Sequence, residues 1–340
     1  MISQKKPKFN KIFLLIIFGL AIFIVYFVLF IDLGNFIETI SQTNLVIYGI
    51  CFIIYLIGIF FSSMAWRSLL NTLDVKITSK KAYLFTWVGL FFDTVIPQLG
   101  LSGDVIKTYL LSKSSNEDTG KIGAAVICQK LVVMTVTVVT FSIGLIIVLF
   151  NYTLEPLTMF FITLFLMLSV ISLFLVYYLS IKPKATDTLL HFITRFILFF
   201  RKKWDSTTFK QQTTETLGNF HVSINELKTK PRILVLSSIY LFLNWFFDIS
   251  VMFLVFVALG HSAPAASVLI VYTISGVLQA VGLGIFGVNE IIMVSTFSVL
   301  GLPVGLGVSV TLLTRAVTLW FRLIVSYGAF QYISIKMAKK

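Results

Sequence analysis

The stretch that decides the fold is Val95-Ile96-Pro97-Gln98-Leu99-Gly100-Leu101-Ser102-Gly103-Asp104-Val105-Ile106-Lys107. Proline lacks the backbone donor that a helix interior requires, and glycine permits positive φ, so this stretch predicts a break between two helices. Asp104 would lie in the first turn of the second helix, where a carboxylate offsets the positive helix end. In a bilayer, broken backbone is tolerated only where protein buries it or water reaches it. The break therefore marks a cavity or a tight internal contact.

The composition is that of a membrane protein. Of the 340 residues, 58% are hydrophobic and only 12% are charged, and the mean hydropathy is +0.97. A soluble domain carries about 25% charged residues. A net charge of +13 could indicate nucleic-acid binding, but the basic residues flank apolar runs, as topology signals do. We therefore expect an all-α, multi-pass protein of the cell membrane, with membrane lipids rather than nucleic acid as partners.

The apolar runs divide the chain into about six full spans, since a helix needs about 20 residues to cross a bilayer. The predicted spans are 12–31, 45–65, 122–150, 157–181, 233–259 and 304–333. Two further apolar segments, 82–112 and 265–300, are interrupted by polar or glycine-rich breaks, and each predicts a re-entrant helical hairpin. We interpret 1–340 as a single transmembrane domain.

The basic residues predict the orientation of these segments. None of the 27 Lys and Arg residues falls in the loops after Asp32, Asn151 and Gly260. Because basic loops stay in the cytoplasm, both termini are expected there, with the first hairpin entering from the inside and the second from the outside. Transporters use such oppositely oriented hairpins to place a site near the midplane. The long polar segment 182–232 predicts cytoplasmic amphipathic helices on an anionic leaflet.

Four basic residues lie inside otherwise apolar segments: Lys107, Lys130, Arg315 and Arg322. A charge near the bilayer centre costs at least ~2.5–3.5 kcal/mol, so it usually faces an interior or a wet cavity. Lys107 and Lys130 lie closer to the cytoplasm and could instead extend their ammonium groups to the surface. Arg315 and Arg322 are seven residues apart, which places them on one helical face.

Two interpretations of these charges stay open. The bases could simply pair with the acids of the apolar segments, which are Asp93, Asp104, Asp248 and Glu290. They could also line a path through which an anionic headgroup passes while its tails stay in lipid. A pair that opens to receive a phosphate would satisfy both interpretations.

The second hairpin resembles the first at its break. In both, glycines precede an acid that would lie in the first turn of the next helix, where it could cap that helix, take up a proton or hold a basic partner. The helix N-termini could also help bind a lipid phosphate, although a capping acid weakens that attraction. The expected hairpin tips comprise Pro97, Gly100, Gly103, Asp104, Gly284, Gly287 and Glu290.

Signatures of chemical catalysis are absent from the sequence. It contains no phosphate-binding loop and no aspartate-rich metal motif. Cys51 and Cys128 lie in apolar stretches, and the three histidines lack metal-ligand spacing. We therefore expect no catalytic residue, no metal site and no cofactor.

The motifs resemble those of one family, the flippase-like transmembrane domain of lysylphosphatidylglycerol synthases, over nearly the whole chain. The matching positions are Pro97, Gly103, Asp104 and Lys107, then Gln129-Lys130-Leu131, then Gly282-Leu283-Gly284, Gly287 and Glu290, and finally Arg315 and Trp320. Lysine stands at positions 107 and 130 where the family usually has arginine. A proline ahead of the late glycines and a doubled glycine before Asp104 are missing.

The resemblance implies a lipid translocase for an anionic phospholipid or a polyprenyl-phosphate-linked lipid, with the four bases at the headgroup. The alternative is a membrane subunit or accessory of a lipid aminoacyl- or glycosyl-transferase, with a soluble transferase docking on 182–232. Family members that make lysyl-lipid carry a soluble aminoacyl-transferase domain after the membrane part. Because the sequence ends soon after the last predicted span, we expect a stand-alone bacterial or archaeal member without that domain. Any synthase name for such a member would come from the membrane domain that it shares with the synthases.

Overall fold

The computed structural model describes residues 41–96, 102–151, 156–188, 206–280 and 287–338. The helices are α1 Leu45–Thr72, α2 Ser79–Val95, α3 Ser102–Ser115, α4 Thr119–Asn151, α5 Pro156–Ile181, α6 Ser206–Thr229, α7 Pro231–Ala258, α8 Ala265–Ala280, α9 Val288–Val299, α10 Val304–Arg315 and α11 Arg322–Ala338. A π-helical stretch, Ala316–Phe321, joins α10 to α11. No strand occurs in the described part, and the predicted all-α fold is confirmed.

Five helical segments are long and apolar enough to cross a membrane. They are α1, α4, α5, α7 and the continuous segment Val304–Met337 formed by α10, the π-helical stretch and α11. They coincide with five of the predicted spans, and the predicted span 12–31 lies outside the described residues. The protein is therefore a multi-pass helical membrane protein.

The antiparallel pair α1 and α7 forms the central axis of the bundle. At one end, the backbone N–H of Asn44, just before α1, donates to the Ala258 carbonyl at 2.7 Å. At the other end, Lys230 Nζ donates to the Thr72 carbonyl at 2.9 Å. Between them the helices approach closely at Gly58, where an added Cβ would lie 3.3 Å from Phe247 Cβ.

The two helical hairpins are connected to opposite ends of this axis. The first, α2 with α3, follows the Thr72 end of α1 and leads into α4. The second, α8 with α9, follows the Ala258 end of α7 and leads into α10. This connectivity agrees with the expected opposite orientation, while re-entry into the bilayer stays a prediction.

Close packing explains a glycine in the first hairpin. Gly103 lies in α3, and a Cβ there would fall on the Gly89 carbonyl oxygen of α2. Among the described glycines, positive φ occurs instead at Gly260, Gly287 and Gly301. Gly103 is thus needed because it lets two backbones touch. It does not supply the positive φ that the sequence led us to expect.

Part of the long polar segment packs onto the membrane helices. At the start of α4, Gly120 lies against the Thr216 backbone of α6. His221 of α6 is buried, with Nδ1 3.2 Å from the Ser180 carbonyl and Nε2 3.2 Å from the Thr186 hydroxyl. Helix α6 is therefore fixed against α4 and the end of α5. Contact of the segment 182–232 with a lipid leaflet stays a prediction, and its residues 189–205 lie outside the described ranges.

Candidate functional site

Asp104 lies between two lysines in the first hairpin. Its Oδ1 is 2.8 Å from Lys107 Nζ, and its Oδ2 is 3.0 Å from Lys130 Nζ of α4. Lys107 is only 9% exposed, and its ammonium lies 5.2 Å from the ring centroid of Trp66. One carboxylate thus serves two ammonium groups within ion-pair distance. We call Asp104, Lys107, Lys130 and Trp66 the lysine cluster.

The cap of α3 comes from Asp93, at the end of α2. Its Oδ1 accepts a hydrogen bond from the Gly103 backbone N–H at 2.7 Å. Asp104 is therefore not needed as a cap, and it takes the other role that the sequence left open, which is to hold basic partners. An acid in the preceding helix can replace a local cap because the α2–α3 contact at Gly89 brings the two helices together.

Gln129 connects the lysine cluster to the central axis. Its Oε1 lies 3.4 Å from Lys107 Nζ, and its Nε2 donates to the Ser62 carbonyl of α1 at 3.1 Å. A buried amide satisfied on both sides fixes the relative positions of α1, α3 and α4.

A second group of polar side chains lies between α1, α7, α8 and α11. Tyr272 donates its hydroxyl to Asp248 Oδ2 at 2.7 Å. Arg322 lies beside Tyr55 and is attracted to Asp248. The Arg322 Nε is buried and has no hydrogen-bond partner among the described residues. We call these four residues the middle cluster.

A third group is the ion pair of Arg315 and Glu290, which we call the outer pair. Arg315 Nε donates to Glu290 Oε1 at 2.6 Å, and the two side chains are 5% and 7% exposed. Glu290 Oε2 also accepts from the Gly287 N–H at 2.8 Å, so this acid both caps α9 and holds a base. Gly287 has a φ of 90°, which favours glycine at this position.

The π-helical stretch separates the two arginines. Arg315 ends α10 and Arg322 begins α11, with Ala316–Phe321 between them. Both lie within electrostatic range of Tyr55. The common face expected from their spacing stays a prediction, because the π-helical stretch between them changes the number of residues per turn. They nevertheless differ in partner, since Arg315 is paired with Glu290 whereas Arg322 faces Asp248.

The three groups lie at successive levels along α1. The lysine cluster contacts Trp66, the middle cluster includes Tyr55, and Tyr48 donates to the Leu313 carbonyl near the outer pair. With a helical rise of 1.5 Å per residue, Trp66 and Tyr48 are roughly 27 Å apart along the axis. The bases themselves span less than this distance, because Arg315 of the outer pair also lies within electrostatic range of Tyr55.

A groove of about 460 Å³ lies between α4, α5, α7 and α8. Lys130 of the lysine cluster and Tyr272 of the middle cluster both line it. Its other walls are mainly apolar, and Lys130 is the one charged residue among its described lining. Trp245 also lines the groove, and its Nε1 is buried without a hydrogen-bond partner in the described part.

The predicted site residues thus fall into separate groups. Lys107 and Lys130 share Asp104, while Arg315 and Arg322 occupy the outer pair and the middle cluster; Pro97, Gly100 and Gly284 lie outside the described residues. Sequence reasoning missed Tyr55 and Tyr272, because neutral aromatic residues in apolar helices carry no recognisable pattern. No group of three or more His, Cys, Asp or Glu side chains in the described ranges could hold a metal ion.

Comparison with known proteins shows which family the sequence matches. The family "Lysylphosphatidylglycerol synthase TM region" matches residues 16–326. The chain is 26% identical to a UPF0104 membrane protein of Methanocaldococcus jannaschii over 98% of both chains. It is 23% identical to one of Pyrococcus horikoshii, over 91% of this chain and 93% of the relative. No solved structure matches significantly.

Proposed function

Because the chain belongs to the family of lysylphosphatidylglycerol synthase transmembrane regions, we propose that it translocates an anionic lipid between the leaflets of the cell membrane. The observation that carries the proposal is the succession of the lysine cluster, the middle cluster and the outer pair along α1. These groups offer cationic partners at more than one level along α1, since Trp66 and Tyr55 are roughly 16 Å apart on that helix. A purely structural set of ion pairs does not need that spacing.

The lysine cluster and the outer pair offer a headgroup different contacts. The lysine cluster has one carboxylate for two ammonium groups, so an anion can join it while Asp104 remains bound. The outer pair is balanced and buried, so a phosphate would have to replace Glu290 at Arg315. Removing one partner from a buried pair costs about 3–5 kcal/mol, so this exchange requires the phosphate to take over the pairing as Glu290 leaves.

The hairpins supply the movement in this proposal. Helices α8 and α9 carry Glu290 on a segment that begins at the Ala258 end of α7, whereas Asp104 is carried by the hairpin at the other end. In this proposal both termini lie in the cytoplasm, and the two hairpins enter the membrane from opposite sides. Displacement of one hairpin then opens the clusters to one leaflet at a time.

Reconstitution tests this function. Purified protein in vesicles should move fluorescent phosphatidylglycerol between leaflets faster than protein-free vesicles do, measured by chemical quenching of the outer leaflet. Arg315→Ala should abolish the acceleration. Because Arg315→Ala leaves Glu290 unpaired, the paired variant Arg315→Met with Glu290→Gln keeps the volume and removes both charges; it should remain folded and inactive.

Transport at the wild-type rate in both variants would overturn the proposal. Co-purification of a soluble transferase, with no transport by the chain alone, would favour the accessory function instead.

A further inference from the structure

We propose that the groove between α4, α5, α7 and α8 binds the lipid before it is moved, with one hydrocarbon chain in the groove and the phosphate against Lys130. The inference rests on the proposed function and names its binding site. It distinguishes Lys130 from Lys107, Arg315 and Arg322, because Lys130 belongs to the lysine cluster and also lines the groove.

The size of the groove fits one chain. A methylene group takes about the volume of a water molecule in the liquid, about 30 Å³. The groove, with its volume of about 460 Å³, therefore holds roughly 15 methylene groups. Three of its four walls are spanning helices, so the hydrocarbon of the surrounding membrane is the material that fills it. A phospholipid would leave its second chain outside, and a polyprenyl phosphate would bind by part of its length.

Access to the groove is provided by α5. Leu168 lines the groove and is 47% exposed, and Phe165 beside it packs only partly against the core. Helix α5 leaves most of its surface uncovered by protein. A lipid can therefore reach the groove sideways from the bilayer without crossing a packed core.

The charge of the lysine cluster suits a phosphate. Lys130 Nζ is 3.0 Å from Asp104 Oδ2, and that carboxylate also holds Lys107. The Lys130 side chain is 25% exposed and lines the groove, so a ligand in the groove can reach its ammonium. Asp93, the other nearby acid, is bound to the N-terminus of α3. A phosphate oxygen would supply the second negative charge and form a charge-assisted hydrogen bond.

A neutral donor beside the groove is consistent with the same ligand. Trp245 lines the groove, and its Nε1, which is itself buried, has no hydrogen-bond partner in the described residues. An indole N–H in an apolar wall costs free energy unless an acceptor satisfies it. The ester or phosphate oxygens of a lipid are such acceptors, whereas a neutral hydrocarbon is not.

Fluorescence quenching tests the site in the full chain, delipidated in detergent. The probe is a single-chain lysophosphatidate with a brominated acyl chain, which quenches tryptophan on contact. Saturable quenching is expected, and it should disappear in Trp245→Phe. Lys130→Gln should weaken the apparent affinity by about tenfold, the loss of one charge-assisted contact, whereas Lys121→Gln on the same helix should not.

A steric variant tests the groove without altering charge. Gly276 lines the groove, and an added Cβ there meets nothing within 4 Å, so Gly276→Leu fills the groove without a backbone clash. Gly328 of α11 is equally open, does not line the groove and provides the matched control, Gly328→Leu. Quenching should be lost in the first variant and retained in the second.

The result that overturns the site is equal quenching by a brominated lysophosphatidylcholine, or unchanged affinity in both Lys130→Gln and Gly276→Leu. Transport that continues in such a protein would refute the groove and leave the proposed function standing. Binding as described, with no transport, would refute the function and leave the site standing. Competition by unlabelled phosphatidylglycerol or by polyprenyl phosphate then identifies which source of phosphate and chain binds more tightly.

Discussion

Arg315 is held by Glu290 across the contact between α10 and α9, with Nε 2.6 Å from Oε1 and both side chains buried. A buried pair of this kind is sensitive to the loss of one member and tolerant of the loss of both. The same pair is therefore a structural element and a candidate contact for the lipid. The two roles are separated by comparing single and double variants.

Glu290→Gln alone should lower the free energy of unfolding by about 3–5 kcal/mol, because it leaves the Arg315 guanidinium buried and unpaired. Adding Arg315→Met should recover most of that loss. Denaturant unfolding in mixed micelles measures both changes. Equal stability of the single variant and the wild type would show that the pair is solvated in the membrane.

Gly103→Ala should destabilise the first hairpin by about 1–3 kcal/mol, because its methyl group would fall on the Gly89 carbonyl oxygen. Gly123→Ala is the control, since that helical position is open and alanine favours helix. Thermal unfolding in detergent compares the two. If Gly103→Ala were as stable as Gly123→Ala, the close contact of α2 and α3 would be wrong.

Asp104→Asn should tighten binding of the anionic probe and increase its dependence on salt concentration, because Lys107 and Lys130 then lack their shared carboxylate. We expect an affinity gain of about three- to tenfold. Glu117→Gln, at a half-exposed pair with Lys121, is the control. A weaker affinity in Asp104→Asn would show that the carboxylate itself is needed to position the headgroup.

Cysteine labelling tests the orientation of the bundle. In a background of Cys51→Ala and Cys128→Ala, the exposed positions Lys76→Cys and His261→Cys lie at opposite ends of the α1–α7 axis. An impermeant thiol reagent applied outside intact cells should label His261→Cys only. The reverse pattern would invert the predicted topology.

The sequence predicts the spans well because their signal is long and repeated. About 20 consecutive apolar residues leave few alternatives to a spanning helix. Most described limits agree with the predicted ones within a few residues, although α1 continues to Thr72, seven residues past the predicted end. The interruptions between α2 and α3 and between α8 and α9 can also be recognised in the sequence, because polar or glycine-rich residues break the apolar signal there. Single residues such as Asp104 are harder to interpret from the sequence.

Hydrogen-bond partners that lie on different helices could not be predicted from the sequence in the same way. Asp93 caps α3 from another helix, and the Tyr272 hydroxyl binds Asp248 over a separation of 24 residues. Such contacts depend on helix packing, which one sequence does not reveal. The groove results from the spacing of four helices, so no sequence motif predicts it. Lys130 could be named in advance because a charge in an apolar run is expensive, whereas Trp245 could not.

The central claim, that an anionic lipid crosses the membrane by way of Lys130, is tested most directly by lipid movement in vesicles containing Lys130→Gln or Lys121→Gln. Phosphatidylglycerol and phosphatidylcholine probes are followed side by side at equal protein content. We predict that Lys130→Gln slows movement of the anionic lipid at least about tenfold, and that Lys121→Gln retains the wild-type rate. Equal rates in the two variants, or equal movement of both lipids by the wild type, would contradict it.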